Sequence, residues 1–145
     1  MSETTVLPLE QFDQAEWRRL WNAYLDQTKL PEEVCQLTWK RLSKPGEFEP
    51  SGWLAVLDGK PVGLVHAVLH RTCWAEKNSC YLQDLYVDPE LRGQGVGRAL
   101  IEQVYRYADE IGADSVYWYT HETNTTARRL YDRIGKRSGF IQYSR

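Results

Sequence analysis

The chain has 145 residues, with 42% hydrophobic and 26% charged positions, which is one globular domain, 1–145, with enough apolar material for a core. Its net charge of -2 comes from eighteen basic and twenty acidic residues mixed along the chain, so no basic stripe proposes a nucleic-acid surface. The longest nearly apolar run, Val62 to Leu69, is broken by His66 and is too short to cross a bilayer, and no basic-then-apolar start marks a secretion signal.

Thr4 to Leu9 predicts a first strand. Asp13 then caps a helix whose Trp17, Leu20, Trp21, Tyr24 and Leu25 recur at three- and four-residue steps. Pro31 opens a second helix with Val34, Leu37, Thr38 and Leu42 on one side. Trp17, Trp21 and Trp39 read as core or interface aromatics. Lys44 to Gly52, rich in proline, glycine and glutamate, is a loop. Trp53 to Leu57 and Val62 to Leu69 follow as strands joined by Asp58-Gly59, a tight-turn pair that predicts an antiparallel hairpin.

Cys80 to Val87 is the next strand, and Asp88-Pro89 ends it. Gly93, Gly95 and Gly97 follow, ahead of a helical stripe of Leu100, Ile101, Val104, Ala108 and Ile111 that Gly112 closes. A strand, a bare loop and a helix start make an anion site: glycines let a ligand approach, and the unpaired first-turn N–H groups point at it. The spacing discriminates among guests. No Lys-Ser or Lys-Thr follows the glycines, as a mononucleotide loop requires, and GxGxG with Arg98 in third place is not the dinucleotide fingerprint GxGxxG.

Ser115 to Thr120, β-branched and aromatic, is a fifth strand, and the helix before it makes it a parallel neighbour of Cys80 to Val87. Thr123 or Asn124 caps a last helix through Ala127, Leu130, Tyr131 and Ile134, and Gly139 to Tyr143 is expected to close the chain as a strand. Three cysteines without paired spacing and three scattered histidines indicate neither a disulfide framework nor a metal site, and a cytoplasmic location is expected.

Arg92-x-x-Gly95-x-Gly97 resembles the pyrophosphate loop [QR]-x-x-G-x-[GA] of the GNAT N-acetyltransferases. YLQDLYV at 81–87, SVYWYTHETN at 115–124 and the helix spacing Asn124, Ala127, Leu130, Tyr131 are similar to that superfamily's segments in the same order. DLYV, SVYW and GFIQY look closest to the Hpa-type histone and polyamine acetyltransferases. The resemblance implies an α/β (α+β) fold, a mixed, mostly antiparallel central sheet flanked by helices, with a parallel pair of central strands at the cofactor site. It implies acetyl-coenzyme A as donor, its pyrophosphate on Arg92, Gly93, Gln94, Gly95, Val96, Gly97 and Arg98, its pantetheine arm along Leu85, Tyr86 and Val87, and a contact at Asn124. It also implies a homodimer: only about six residues follow Gly139, most superfamily members finish with two strands, and a second copy would cover the open edge at the C-terminal strand.

The expected reaction is direct attack by a primary amine of a small molecule, polyamine-like or amino-acid-like, on the bound thioester. A protein or histone lysine, or a non-catalytic coenzyme A-binding dimeric regulator, are the alternatives. An amine of pKa near ~10.4 must lose a proton at a cost of roughly 4 to 5 kcal/mol at neutral pH. Asp84, in the central strand with its side chain on the face opposite Leu85, is the first candidate to take it, and Glu122 the second. Gln83, where the polyamine enzymes carry a glutamate, cannot act as a base. Tyr131, at the superfamily's tyrosine position, can protonate the leaving thiolate. The structural alternatives are an ion-paired Asp84 and a core Tyr131 on the Ala127, Leu130, Ile134 stripe.

Overall fold

The computed structural model describes residues 3–145. A five-stranded sheet runs in the order β1 (Thr5–Pro8), β2 (Ser51–Leu57), β3 (Lys60–His70), β4 (Ser79–Val87), β5 (Ser115–Tyr117). The first three pairings are antiparallel and β4–β5 is parallel. Four helices flank it: α1 (Gln14–Leu25), α2 (Glu32–Leu42), α3 (Val96–Ile111) and α4 (Thr125–Ile134).

Local chemistry sets these elements. Asp13 caps α1 by accepting from Glu16 N–H at 2.9 Å, and Glu16 returns the bond to Asp13 N–H at 3.1 Å, a reciprocal capping box. Asp58 and Gly59 turn the β2–β3 hairpin with φ of 52° and 76°, the left-handed pair that matches strand twist. Alternation along the strands then splits the core into two layers. Ala55, Val65, Cys80 and Leu82 pack against Leu100, Ile101 and Val104 of α3 on one face. Leu54 and Leu64 meet Trp17, Leu20 and Trp21 of α1 and Cys35 and Leu42 of α2 on the other.

Two details position the site. The β3–β4 register slips between His66 and Ala67, so His66 opposes Asp84 while Ala67 opposes Leu82, and Gln83 is the extra residue of a bulge. The parallel ladder stops early: β5 pairs with β4 only from Ser79↔Ser115 to Tyr81↔Tyr117. The two central strands therefore part, and β5 does not reach Leu82 to Val87.

The expected strand at Gly139 to Tyr143 is not formed. Phe140, Ile141 and Tyr143 are 90%, 75% and 86% exposed, and the segment carries no strand pairing. A strand exists only through its partner's hydrogen bonds, and nothing within the described residues lies alongside this one.

Candidate functional site: the parting of the central strands

At the parting, β4 offers backbone in one direction and side chains in another. Asp88 N–H donates to Val62 O at 2.9 Å, which marks that pair as hydrogen-bonded, and such pairs recur at every second residue of an antiparallel ladder. Tyr86 and Asp84 thus spend their main-chain groups on β3, whereas Leu85 and Val87 turn theirs to the side β5 has left. The Arg92 Nε donating to Val87 O at 3.0 Å agrees with that parity. Of the three residues expected to line a pantetheine arm, Leu85 and Val87 face the open edge, where Arg92 already takes Val87 O, while Tyr86 sends its ring to the opposite face, where Tyr24 meets it edge-on at 6.4 Å.

The glycine loop leads straight from this edge into α3. Gly93 and Gly95 adopt φ of 82° and 87° with nothing within 4 Å of a Cβ placed on either, a conformation that favours glycine and leaves the approach open. Gly95 caps α3 with no side chain, and the first helical bond is Ala99 N–H to Gly95 O at 3.0 Å. Val96, Gly97 and Arg98 therefore present N–H groups with no intrahelical acceptor, at the positive end of a sixteen-residue helix. That cradle fits a pyrophosphate. Arg98 is exposed and paired with Glu102 at 2.7 Å, and the Gln94 amide reaches Glu90 O at 3.4 Å. Asn124 caps α4, its Oδ1 accepting from Ala127 N–H at 3.3 Å.

Tyr131 lies half-buried on α4, its ring 5.5 Å from Trp118, and its hydroxyl bonds to none of the described residues. Burial raises its pKa above the ordinary phenol value, so it keeps its proton.

Asp84 points to the α1–α2 face, its side chain 15% exposed. Its Oδ2 accepts from His66 Nδ1 at 2.9 Å, and His66 Nε2 accepts from the Trp17 indole N–H at 3.1 Å. Tyr24 completes the group. Burial, then the Asp84 charge beside it, raises its pKa, and Tyr81 and Tyr131 lie close enough to add to the effect. Tyr24 thus lies within electrostatic reach of both Asp84 and Tyr131. Glu122 is not in this group: it is 83% exposed, 3.7 Å from Arg137.

A cavity of about 580 Å³ opens against Asp84, with Trp21, Leu30, Arg41, Phe48 and Glu49 among its walls. The Trp21 indole N–H is buried without an acceptor among the described residues. No cluster of three metal-ligating side chains exists among the described residues. His66, Tyr24 and the two indoles are what residue-by-residue reading missed. The available signal was His66 itself, a polar residue in the middle of an apolar strand.

Comparison with known proteins agrees with this geometry. The family model described as "Acetyltransferase (GNAT) family" matches residues 9–135. The chain is 36% identical to the D-amino-acid N-acetyltransferase HPA3 of Saccharomyces cerevisiae, over 97% of this chain and 89% of that protein. It is 31% identical to human N-acetylaspartate synthetase over 83% of its length, spanning 37% of that larger protein. Among solved structures, an aminoglycoside N-acetyltransferase in complex with CoA superposes with a TM-score of 0.84 at 17% identity, covering 100% of this chain and 95% of that one. A loop that holds a diphosphate and a strand edge left open beside it are what an acyl-coenzyme A donor requires, and this chain belongs to the GNAT family of acetyltransferases, enzymes that use acetyl-coenzyme A.

Proposed function

We propose that the chain transfers the acetyl group of acetyl-coenzyme A to the primary amine of a small, amino-acid-like acceptor by direct attack. The observation that carries this reading is the division of labour on β4. Leu85 and Val87 offer main-chain groups along the open edge, and Asp84, between the strand's edge and the cavity, offers a carboxylate to whatever enters from the α1–α2 face.

The residues act as follows. The amides of Val96, Gly97 and Arg98 hold the donor's pyrophosphate, and a main-chain N–H of Leu85 or Val87 binds the thioester oxygen as negative charge grows on it. Asp84 takes the proton of the acceptor ammonium, leaving the nitrogen's electron pair free to attack. Tyr131, kept protonated by burial, gives its proton to the departing thiolate.

The cavity favours an amino acid over a polyamine. A protonated polyamine brings donors only. It cannot satisfy the buried Trp21 N–H, a deficit worth about 1–3 kcal/mol, nor answer Arg41, whose guanidinium has no carboxylate partner among the described residues. A carboxylate next to the amine could do both, and the amino-acid acceptor named for the yeast relative supports the choice. Product formation with D- and L-amino acids, spermidine and lysine peptides tests it. Amino acids should lead in kcat/KM, and preference for spermidine or the peptide would overturn the acceptor assignment.

We further propose that two copies associate through the 139–143 segment. The free side of β5 and the exposed Phe140, Ile141 and Tyr143 support it, since an open strand edge beside an apolar unpaired segment is a ready pairing surface. Sedimentation showing a monomer at micromolar concentration would remove it. A cytoplasmic location fits three unpaired cysteines, two of them buried, and no helix among the described residues is long and apolar enough to cross a membrane.

A further inference from the structure

We propose that His66 is the positioning residue of Asp84: an imidazole whose tautomer Trp17 fixes, and which holds the carboxylate aimed into the acceptor cavity. The inference rests on the transfer reading above and extends it to residues that no catalytic pattern in the sequence marks.

His66 sits in the middle of β3 at 2% exposure, a place where a polar ring is tolerated only if both nitrogens are satisfied. Both are. An indole N–H can donate and never accept, so the Nε2 atom that Trp17 reaches at 3.1 Å carries no proton. The ring's proton is therefore on Nδ1, 2.9 Å from Asp84 Oδ2, where it donates to the carboxylate. Trp17 cannot turn away. It is fully buried, with Trp21 stacked at 5.7 Å and Trp39 tilted against it at 5.4 Å. Three segments distant in the chain thus form one directed series of bonds, from α1 through β3 to β4.

The direction of that series has a chemical consequence. A donor at Oδ2 fixes the carboxylate's rotation, and the Tyr24 phenol is its second hydrogen-bond partner, so that the acceptor amine meets a carboxylate already held in place. As the acceptor's N–H bond breaks, its electron pair stays on nitrogen and a new O–H bond forms on Asp84. The proton cannot continue through the ring, because the far nitrogen is already occupied by the indole. His66 is a donor in this site and not a proton relay. The other polar groups around the carboxylate are Tyr24 from α1, Tyr81 and Gln83 on β4, Thr38 and Arg41 from α2 and Glu49 from the following loop.

Two substitutions separate positioning from packing. His66→Phe keeps a planar ring and removes the donor, whereas His66→Asn places an amide N–H where Nδ1 stood. For His66→Phe, kcat should fall about 10- to 100-fold with the KM for acetyl-coenzyme A unchanged, and His66→Asn should recover most of the loss. Equal losses in both variants, or wild-type kcat in His66→Phe, would overturn the assignment. The full-length wild-type protein supplies a second readout that needs no variant to fold. Long-range proton–nitrogen NMR correlation at pH 7.5 should show His66 protonated at Nδ1 alone, and a proton on Nε2 refutes the bond series. A wild-type protein that binds acetyl-coenzyme A in calorimetry yet acetylates no amine sinks the transfer reading and the catalytic part of this one with it, while the spectrum still decides the tautomer.

Discussion

Asp84→Asn is the substitution that isolates the charge proposed to take the acceptor's proton. The carboxamide oxygen can still accept from His66 Nδ1, now at 2.9 Å from the carboxylate, so the strand register and the buried ring keep their hydrogen bond while the negative charge is lost. A lysine-type amine of pKa near ~10.4 carries a handicap of about 4.6 kcal/mol at pH 7, and the more acidic α-amine of an amino acid carries a smaller one of the same sign. A general base recovers part of it, typically ~10²- to 10⁴-fold in rate. The variant should therefore lose about 10²-fold or more in kcat/KM for the amine at pH 7, and recover roughly tenfold per pH unit as solvent deprotonates the acceptor. Neither nearby phenol confuses that window: burial raises Tyr131, and burial together with the Asp84 charge raises Tyr24, both above the ordinary value of ~10. Acetylated product measured by chromatography from pH 7 to 9.5 reads the recovery. A deficit that stays constant with pH would show Asp84 to be structural, and no deficit would remove it from the reaction.

Tyr131→Phe should lower kcat about 10²-fold while calorimetry finds acetyl-coenzyme A bound as before, because only the proton for the leaving thiolate is withdrawn. The phenol's raised pKa adds that wild-type turnover shows no alkaline loss from this group below pH ~10. Gly63→Ala should destabilise the fold by about 1–3 kcal/mol in urea unfolding, since its Cβ would stand 2.8 Å from Tyr86 O and 3.1 Å from Leu100 Cδ1. Unchanged stability would contradict the close seating of α3 on β3. A thiol titration of the native protein should find one fast cysteine, the exposed Cys73. Cys35 and Cys80 are buried, and burial pushes the Cys80 thiol up to about 11, which leaves little thiolate at neutral pH. Two fast thiols would show one of the two core layers to be open.

What the sequence displayed depended on whether the determining interaction is local. Asp13 at the start of α1, Asp58 with Gly59, and the loop at Gly93 and Gly95 each fix backbone within a few residues, and each is found where it was expected. The strand at Ser115 to Thr120 was legible only in part. Trp118, Tyr119 and Thr120 have the same β-branched and aromatic character as Ser115–Tyr117, yet the ladder stops at Tyr117, because pairing depends on where β4 runs and not on what those residues prefer. The segment at Gly139 to Tyr143 fails for the same reason more completely, its propensity intact and its partner absent from its own fold. Within the candidate site, the place of Asp84 on the central strand was legible. The bonds from His66 and Trp17 were not, since they join positions 49 and 18 residues apart and no periodicity links them.

The same geometry explains how one short strand can serve two reactants. Main-chain groups lie in the plane of a sheet and side chains stand perpendicular to it. On the proposed reading, a donor held by amides of Leu85 and Val87 runs along the edge of β4, while an amine drawn to Asp84 arrives over the α1–α2 face. The two approaches meet nearly at right angles. That is the relation an attacking lone pair needs to a thioester carbonyl laid along the strand, and it brings the reactants together without a covalent intermediate on the protein. The bulge at Gln83 matters to this arrangement. It sits where the ladder changes step, so that Asp84 opposes His66 on the acceptor face while Leu82, on the far side of the bulge, returns to the α3 core. Deleting Gln83 would leave Asp84 and Leu82 on their present faces, whereas pairing Gln83 in a regular ladder would turn Leu82 and the preceding residues of β4 to the wrong face, since a one-residue slip reverses every side chain beyond it. The carboxylate and the core behind it could not both be kept.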